Sequence, residues 1–329
     1  MKEIKLAIMG AGRWGINHVK TAHELLKGNL KIVCDIDKKK EREVKLISQS
    51  IKFDTDLNLV FDDKEINTVI VATPAETHFE LAKKSLIKNK NVLVEKPITL
   101  LTAEAEELIE LSHQQQKKLM VGHVLLYHPA INKLKNMITD GTIGKVQYIY
   151  SNRLNLGSVR SEENILWSFA PHDISIIQYL LESNPININA NGASFLQSKI
   201  EDTTLTYLRY PGNIHAHIFV SWLHPFKEHR LVVIGNKGMI VFEDSLSQNK
   251  LKYYPKGFTK INHELTKFEG DFETIDFDNL SPLEEEQKHF FNSIINNQEP
   301  LTNGDHALDV LKILEEAQKK LYNFNTVNQ

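Results

Sequence analysis

The stretch IKLAIMGAGRWG (residues 4–15) decides the fold of this chain. An apolar run typical of a buried strand leads into three glycines, a helix pattern follows, and a second apolar run ends at Asp35. Gly10 permits a tight turn, Gly12 lets the backbone approach a pyrophosphate, and Gly15 lets the helix pack on the strand. The helix N-terminus offers unpaired N–H groups to the phosphates, and the acid is placed to accept hydrogen bonds from the adenosine ribose.

This order of strand, glycine turn, helix, strand and acid predicts a dinucleotide-binding unit, with Arg13 and Trp14 also at the cofactor. The alternative is a glycine turn in an α/β domain that binds nothing.

Composition limits the function classes. The 329 residues allow two domains, and 41% apolar with 25% charged residues is ordinary for a globular protein. A net charge of −3 argues against a nucleic-acid partner, and the single cysteine, Cys34, excludes an internal disulfide. No apolar run approaches the roughly 18 residues of a membrane span, and the chain enters its first strand without room for a signal peptide. We therefore expect a cytoplasmic enzyme.

The strand Thr68–Ala72 predicts a second part of the cofactor site. Thr73 and Pro74 follow it, and a proline cannot continue a central strand. In open α/β sheets the loops at the carboxyl ends of strands form the ligand crevice, which places Ala72, Thr73, Pro74 and His78 beside the cofactor. The alternative for His78 is a solvent-facing residue in the first turn of the next helix.

A charged pair locked by proline, Glu95-Lys96-Pro97, ends the strand at residues 91–94. Lys96 is then expected to project into the crevice and to hold a substrate hydroxyl or polarise a carbonyl. The alternative is a surface ion pair. A strand at residues 119–122 ends at His123, and six strands alternating with helices predict a doubly wound parallel sheet in residues 1–124.

At this point the chain resembles the Gfo/Idh/MocA family, the glucose–fructose oxidoreductase and inositol dehydrogenase group. The resemblance rests on residues 10–15, on Ala72-Thr73-Pro74 through His78, on Glu95-Lys96-Pro97 and on Gly122-His123. It implies a Rossmann domain, an NAD(P)-dependent oxidoreductase acting on a sugar or polyol, Lys96 as the catalytic lysine, and a cis bond before Pro97.

Residues 125–329 are predicted to form an α+β domain for substrate binding and oligomerisation. Candidate strands with a mostly antiparallel open sheet pattern lie at 146–151, 188–195, 203–210, 214–222, 230–234, 239–243 and 251–254. His215 and His217 share one strand face, but no carboxylate joins them, so no metal site is predicted. The family resemblance implies a homodimer or homotetramer built through this sheet.

A polar stretch at residues 153–164 suits an anionic or hydroxyl-rich ligand, or is simply a solvated loop. Pro171 then predicts a helix start with His172 in its first turn, where the helix dipole would keep the imidazole neutral. By resemblance His172 is the acid/base histidine, while the family aspartate falls at Ser168, where this sequence departs from the pattern. The residues predicted to contact substrate are Lys96, His123, Tyr127, Arg153, Asn155, Arg160, Trp167, His172 and Asp173.

The predicted reaction is reversible hydride transfer between a sugar carbinol carbon and nicotinamide. Asp35 favours NAD because its charge would repel a 2′-phosphate, although Lys38 to Lys40 could support NADP. Resemblance to a nucleotide-sugar branch implies oxidation at C3 of a UDP-N-acetylhexosamine. Inositol, a free sugar or a dTDP-ketosugar remain open as substrates, and so does a non-catalytic NAD-binding regulator.

Overall fold

The structure is a computed structural model that describes residues 3–157 and 159–327, without the side chains of 322–327. The chain divides into two compact units. The first comprises Met1–Tyr127 and Leu280–Leu311, and the second comprises His128–Asn279 and Lys312–Gln329. The division at residues 124/125 inferred from the sequence stays a prediction.

A six-stranded parallel sheet forms the centre of the first unit, with strand order 3-2-1-4-5-6. Its strands are β1 (Leu6–Met9), β2 (Leu30–Cys34), β3 (Lys52–Asp54), β4 (Thr68–Val71), β5 (Asn91–Glu95) and β6 (Leu119–Gly122). The helices between them are α1 (Gly15–Leu26), α2 (Lys40–Ile47), α3 (Asn58–Phe61), α4 (His78–Ile87) and α5 (Thr102–Gln114). This is the doubly wound sheet expected from the sequence.

Burial explains why these strands were visible in the sequence. All four residues of β1 and of β4 are buried, as expected for parallel strands covered on both faces. Strand β3 was not located from the sequence, because its three residues are too few to show a period and none of them is fully buried.

The second unit contains an eight-stranded mixed sheet, with strand order 16-13-12-11-7-10-9-8. Its helices are α6 (Pro129–Thr139) and α7 (Ile165–Leu181). The strands of this unit are β7 (Val146–Leu154), β8 (Asn187–Ala193), β9 (Thr203–Tyr210), β10 (Ile214–Ser221), β11 (Glu228–Gly235), β12 (Met239–Glu243), β13 (Leu251–Tyr254), β14 (Lys256–Ile261), β15 (Glu264–Glu269) and β16 (Glu273–Thr274). Only β7 and β10 pair in parallel within this sheet, which confirms the mostly antiparallel prediction.

Strands β14 and β15 form a separate two-stranded sheet that the sequence analysis did not predict. Its residues are almost all exposed, so the alternation of apolar and polar residues that marks a half-buried strand is weak there.

Helix α7 begins earlier than predicted. The side chain of Asn164 accepts a hydrogen bond from the backbone N–H of Trp167 (3.3 Å), the helix starts at Ile165, and Pro171 lies inside it. The prediction that Pro171 opens this helix is therefore wrong, and His172 lies in its middle. The Asn164 cap starts the helix, and Pro171 is tolerated at the cost of a backbone hydrogen bond. Because His172 is not in the first turn, the helix dipole cannot be the reason that its imidazole stays neutral.

The last two helices are α8 (Pro282–Ile295), in the first unit, and α9 (Gly304–Val327), which contributes to both units. The segment between them covers β6. The backbone N–H of Val121 donates to the carbonyl of Thr302 (2.8 Å), and the hydroxyl of Thr302 donates back to the carbonyl of Val121 (2.7 Å). The first unit is therefore completed by residues from near the end of the chain.

Within residues 3–157 and 159–327, no helix combines the length and the apolar character that crossing a membrane requires.

Candidate active site

The glycine turn has the geometry that the sequence predicted. Gly10 has φ of +95°, and a Cβ atom there would lie 2.5 Å from the carbonyl oxygen of Ala72. A Cβ on Gly15 would collide with the backbone carbonyl of Gly10. A Cβ on Gly12 would meet nothing within 4 Å, so the backbone there is open to an approaching group. These residues fit a dinucleotide pyrophosphate at the start of α1.

The glycine collision gives a testable expectation for stability. Gly15→Ala should lower the free energy of unfolding by about 1–3 kcal/mol, because the new methyl group must displace backbone. Gly12→Ala is the matched control, since its methyl group enters open space and should leave stability nearly unchanged. Urea unfolding of both variants measures the difference, and equal stabilities would contradict the close approach of Gly15 to Gly10.

Asp35 lies at the edge of the glycine turn. Its Oδ2 accepts a hydrogen bond from the backbone N–H of Ala11 (2.6 Å), and its Oδ1 accepts one from the N–H of Asp37 (2.8 Å). The carboxylate is partly exposed and is held in place beside the first helix. Its position after β2 is that of the acid that binds the adenosine ribose in dinucleotide-binding folds.

His78 is buried, with 1% of its surface exposed, so the solvent-facing interpretation is wrong. Its Nδ1 lies 2.7 Å from the carbonyl of Pro97, and its Nε2 lies 2.9 Å from the carbonyl of Thr73. Burial lowers the pKa of His78 below its usual value, although the two carbonyl groups favour the charged ring and act to raise it. The histidine thus ties the loop after β4, where Ala72 and Thr73 are partly exposed and Pro74 is exposed, to the loop after β5.

Glu95, at the end of β5, accepts three hydrogen bonds. Its Oε1 receives the indole N–H of Trp14 and the ring Nε2 of His18, each at 2.7 Å, and its Oε2 receives the backbone N–H of Lys96 (3.2 Å). Burial acts to raise the pKa of Glu95, but His18 and Trp14 together with the charge of Lys96 outweigh it, so the pKa lies below the usual value. Glu95 therefore connects the glycine turn with Lys96.

Two features fix the backbone around Lys96. The Lys96–Pro97 peptide bond is cis, as the family resemblance implied. A Cβ atom on Gly122 would lie 2.8 Å from Oε1 of Glu95, so glycine at the end of β6 makes room for that carboxylate. Lys96 itself is partly exposed at the carboxyl end of the sheet.

His123 and Tyr127 follow β6 and are nearly buried. Burial, then the neighbouring His306, then Lys96 hold the pKa of His123 well below its usual value, so its ring is neutral. The rings of His123 and His306 meet edge to face at 5.4 Å, and burial lowers the pKa of His306 to about 4. The hydroxyl groups of Tyr127 and Thr302 are hydrogen-bonded at 3.0 Å.

Arg153 is not on an irregular segment, as the sequence suggested, but in strand β7. Its guanidinium forms a bidentate pair with Asp173 on α7, at 2.8 and 3.0 Å, and Asp173 also accepts the hydroxyl of Ser151 (2.6 Å). The strand runs three residues further than predicted because its polar side chains find these partners. The pair therefore fixes α7 against the sheet.

The other predicted substrate residues of the second unit lie in different surroundings. Arg160 is exposed and pairs with Glu163 (3.3 Å). Asn155 is partly exposed and donates its backbone N–H to the carbonyl of Ser221 (3.1 Å). The indole of Trp167 donates to Gln318 (3.0 Å).

His172 is partly exposed on α7, and Ser168 lies one turn before it on the same helix face. A side chain at position 168 could therefore reach the His172 ring. By resemblance, position 168 is where the family has its aspartate.

Sequence reasoning missed four residues that lie around the predicted site residues. His18, Glu286, Gln287 and Thr302 were not singled out, although His18 lies four residues after Trp14 and therefore on the same helix face. The other three lie more than 150 residues from the glycine turn, and no local pattern marks them.

Comparison with known proteins agrees with this geometry. Residues 4–123 match the model of the oxidoreductase family with an NAD-binding Rossmann fold, and residues 131–241 match the C-terminal domain of GFO/IDH/MocA proteins. The chain belongs to the Gfo/Idh/MocA family. It is therefore an NAD(P)-dependent oxidoreductase by family, as the sequence analysis expected.

Several relatives of this Gfo/Idh/MocA protein have named activities. The D-xylose 1-dehydrogenase [NADP(+)] of Haloarcula marismortui is 24% identical, covering 93% of this chain and 87% of its own. The scyllo-inositol 2-dehydrogenase (NAD(+)) of Bacillus subtilis is 27% identical, covering 72% of this chain and 73% of its own.

A solved structure shares the fold. UDP-N-acetylglucosamine 3-dehydrogenase GnnA from Acidithiobacillus ferrooxidans superposes with a TM-score of 0.84 at 21% identity, covering 98% of this chain and 99% of its own. In sequence comparison that enzyme is 29% identical over 141 residues, which is 43% of this chain and 44% of its own.

Proposed function

We propose that this Gfo/Idh/MocA protein is an NAD-dependent dehydrogenase that oxidises one CH–OH group of a sugar, in its best-supported form a nucleotide sugar. The observation that carries the proposal is the connection of Lys96, through Glu95, to Trp14 in the glycine turn. That connection supports placing one ammonium group beside the end of the cofactor where hydride transfer takes place.

The proposed mechanism gives one role to Lys96 and another to His172, as the family resemblance implies. Nicotinamide, when bound, accepts the hydride. Lys96 donates a hydrogen bond to the carbinol oxygen and stabilises the negative charge that develops there. His172 accepts the hydroxyl proton as a general base, a role that typically contributes about 10²–10⁴-fold. His123, which burial keeps neutral, can donate or accept one hydrogen bond without adding charge.

NAD rather than NADP is proposed as the cofactor because of Asp35, and this choice can be tested. Asp35→Ser should raise KM for NAD about 10- to 100-fold, since two charge-assisted hydrogen bonds to the ribose are lost. It should also lower KM for NADP, because the repulsion of the 2′-phosphate is removed. The measurement is the ratio of kcat/KM for the two cofactors. Asp37→Ser is the control for charge, and an unchanged ratio in Asp35→Ser would contradict the assignment.

The nucleotide-sugar substrate is supported by the sequence likeness to the UDP-N-acetylglucosamine 3-dehydrogenase, and C3 of a UDP-N-acetylhexosamine is the carbon proposed. The Arg153 guanidinium is engaged by Asp173, so the exposed Arg160 is the arginine proposed to meet a diphosphate. The likeness to inositol and xylose dehydrogenases favours a second candidate, a free sugar or inositol. The proposal keeps the cytoplasmic homodimer or homotetramer expected from the sequence.

The test is reduction of NAD, followed by nicotinamide absorbance, with a panel of UDP-sugars, dTDP-sugars, free sugars and inositols. A transaminase that consumes the ketone is added in a second series, because an unfavourable equilibrium can hide the product. Turnover with UDP-N-acetyl sugars supports the nucleotide-sugar form. Turnover only with free sugars or inositol overturns that form and keeps the dehydrogenase, and NAD binding without any turnover favours the non-catalytic regulator.

A further inference from the structure

The first unit contains a buried carboxyl group that the proposed reaction does not use. Glu286 on α8 has no exposed surface, and neither of its carboxylate oxygens has a hydrogen-bond partner among the described residues. One of its oxygens lies within 4.8 Å of a carboxylate oxygen of Glu95 and a ring nitrogen of His18. A charged carboxylate in such a place is strongly disfavoured unless a proton or a cation joins it.

The next residue, Gln287, shows which ring nitrogen of His18 accepts a hydrogen bond. Its Nε2 lies 3.2 Å from the backbone carbonyl of His18, and because a carbonyl can only accept, the amide nitrogen must point there. The same nitrogen lies 3.0 Å from Nδ1 of His18, so Nδ1 accepts. The hydrogen of the neutral ring is then on Nε2, which donates to Oε1 of Glu95.

This arrangement favours a proton over a metal ion. Two carboxylates and a histidine are a possible ligand set for a divalent cation. Here, however, Nε2 of His18 carries a hydrogen, and Oε1 of Glu95 already accepts two hydrogen bonds of 2.7 Å. The charge of Lys96 offsets that of Glu95, so one proton on Glu286 leaves the cluster neutral whereas a divalent cation leaves a surplus of positive charge.

We propose that Glu286 is held as a neutral carboxylic acid beside the Glu95 carboxylate, and that this acid–carboxylate pair positions Lys96. The connection runs through Oε2 of Glu95, which accepts the backbone N–H of Lys96. Glu286 is thus a positioning residue, and only its effect on turnover rests on the proposed function. Burial first, and then the charge of Glu95, hold the pKa of Glu286 well above its usual value.

The described titratable groups near Glu286 come from three neighbouring elements and from α8 itself. His18 comes from α1, and Glu95 and Lys96 come from the end of β5. Tyr127 comes from the turn after β6 that packs on α8, and its hydroxyl is hydrogen-bonded to Thr302. On α8 itself, Glu285 and Lys288 pair with each other at 3.0 Å. His289, three residues after Glu286, accepts the backbone N–H of Leu301 at its Nε2 (2.9 Å), and burial lowers its pKa.

The test compares the melting temperatures of wild type and Glu286→Gln from about pH 5 to about pH 9. Glutamine imitates the neutral acid. Because the folded pKa of Glu286 is raised, the stability that it contributes is present below the unfolded value of 4.5 and is lost as pH rises through the folded value. The wild type should therefore lose Tm relative to Glu286→Gln as pH rises.

Glu285→Gln is the matched control, since it removes the same charge from a partly exposed position on the same helix. Its difference from wild type should not depend on pH above about pH 6. A wild-type-minus-Glu286→Gln difference that is equally flat overturns the proposal. This measurement needs no turnover, so it decides the proposal even if the proposed reaction fails.

Two further measurements complete the test. Metal analysis of the purified protein should find no bound Mn²⁺ or Zn²⁺, and a stoichiometric ion that is lost in Glu286→Gln overturns the proposal. With a substrate in hand, Glu286→Gln should keep kcat within about twofold, while Glu286→Leu should lower kcat at least about tenfold with the Kd for NAD unchanged. Equal kcat values for the two variants would show that Glu286 does not position Lys96.

Discussion

Lys96→Ala is expected to lower kcat by about 10²- to 10³-fold while NAD still binds. The ammonium group is the one charged donor that the end of β5 offers to a developing oxyanion, and removal of such a donor costs about that factor. The glycine turn and Asp35 do not depend on the lysine side chain, because Glu95 contacts Lys96 through its backbone N–H. The Kd for NAD, measured by fluorescence titration, should therefore change by less than about threefold.

Lys88→Ala is the control for this variant. Lys88 pairs with Asp62 on the surface (2.7 Å), and loss of an exposed ion pair costs little. The control should keep full turnover. If Lys96→Ala also keeps turnover, the dehydrogenase mechanism is wrong. If neither the wild type nor any variant turns over a substrate although NAD binds, the result favours the non-catalytic NAD-binding regulator.

His172→Ala is expected to lower kcat by about 10²- to 10⁴-fold, the usual contribution of a general base. The limb of the pH–kcat profile that reports deprotonation of the base should disappear with it. Added imidazole should restore part of the rate, because a small base can occupy the space that the side chain leaves. A merely structural role for His172 would give no such rescue.

His113→Ala serves as the control, since His113 is exposed in the last turn of α5. It should show the wild-type pH profile with and without imidazole. A His172→Ala variant that retains both the rate and the profile would remove the histidine from the mechanism and leave Lys96 as the one proposed catalytic group.

Local sequence was enough to locate five strands of the first sheet, all except β3. Strands β1 and β4 are continuous buried runs, and a glycine or proline follows each within three residues, so their positions along the chain could be predicted. The same logic placed Asp35 after β2 and Lys96 after β5, where the structure has them. These features depend on residues that are neighbours in sequence.

The errors arose where long-range partners decide the outcome. Pro171 looked like a helix start because nothing nearby in the sequence shows that Asn164, which also bonds Glu201 and Gln318, begins the helix seven residues earlier. Arg153 was placed on an irregular segment rather than in strand β7 because its partner, Asp173, lies on a different element. Local sequence patterns indicate helix or strand propensity and the spacing of apolar residues. The pairing of buried charges depends on residues that only the complete fold brings together.

The completion of the first unit by residues 280–311 has a consequence for its biosynthesis. Gln287 on α8 bonds His18 on α1, and Thr302 covers β6, yet residues 1–127 leave the ribosome about 150 residues earlier. At roughly 5–20 residues per second, these strands wait on the order of 10–30 s for their last partners. During translation the nucleotide-binding unit is thus begun first and finished last, and in that interval the edge of β6 is open to chaperones.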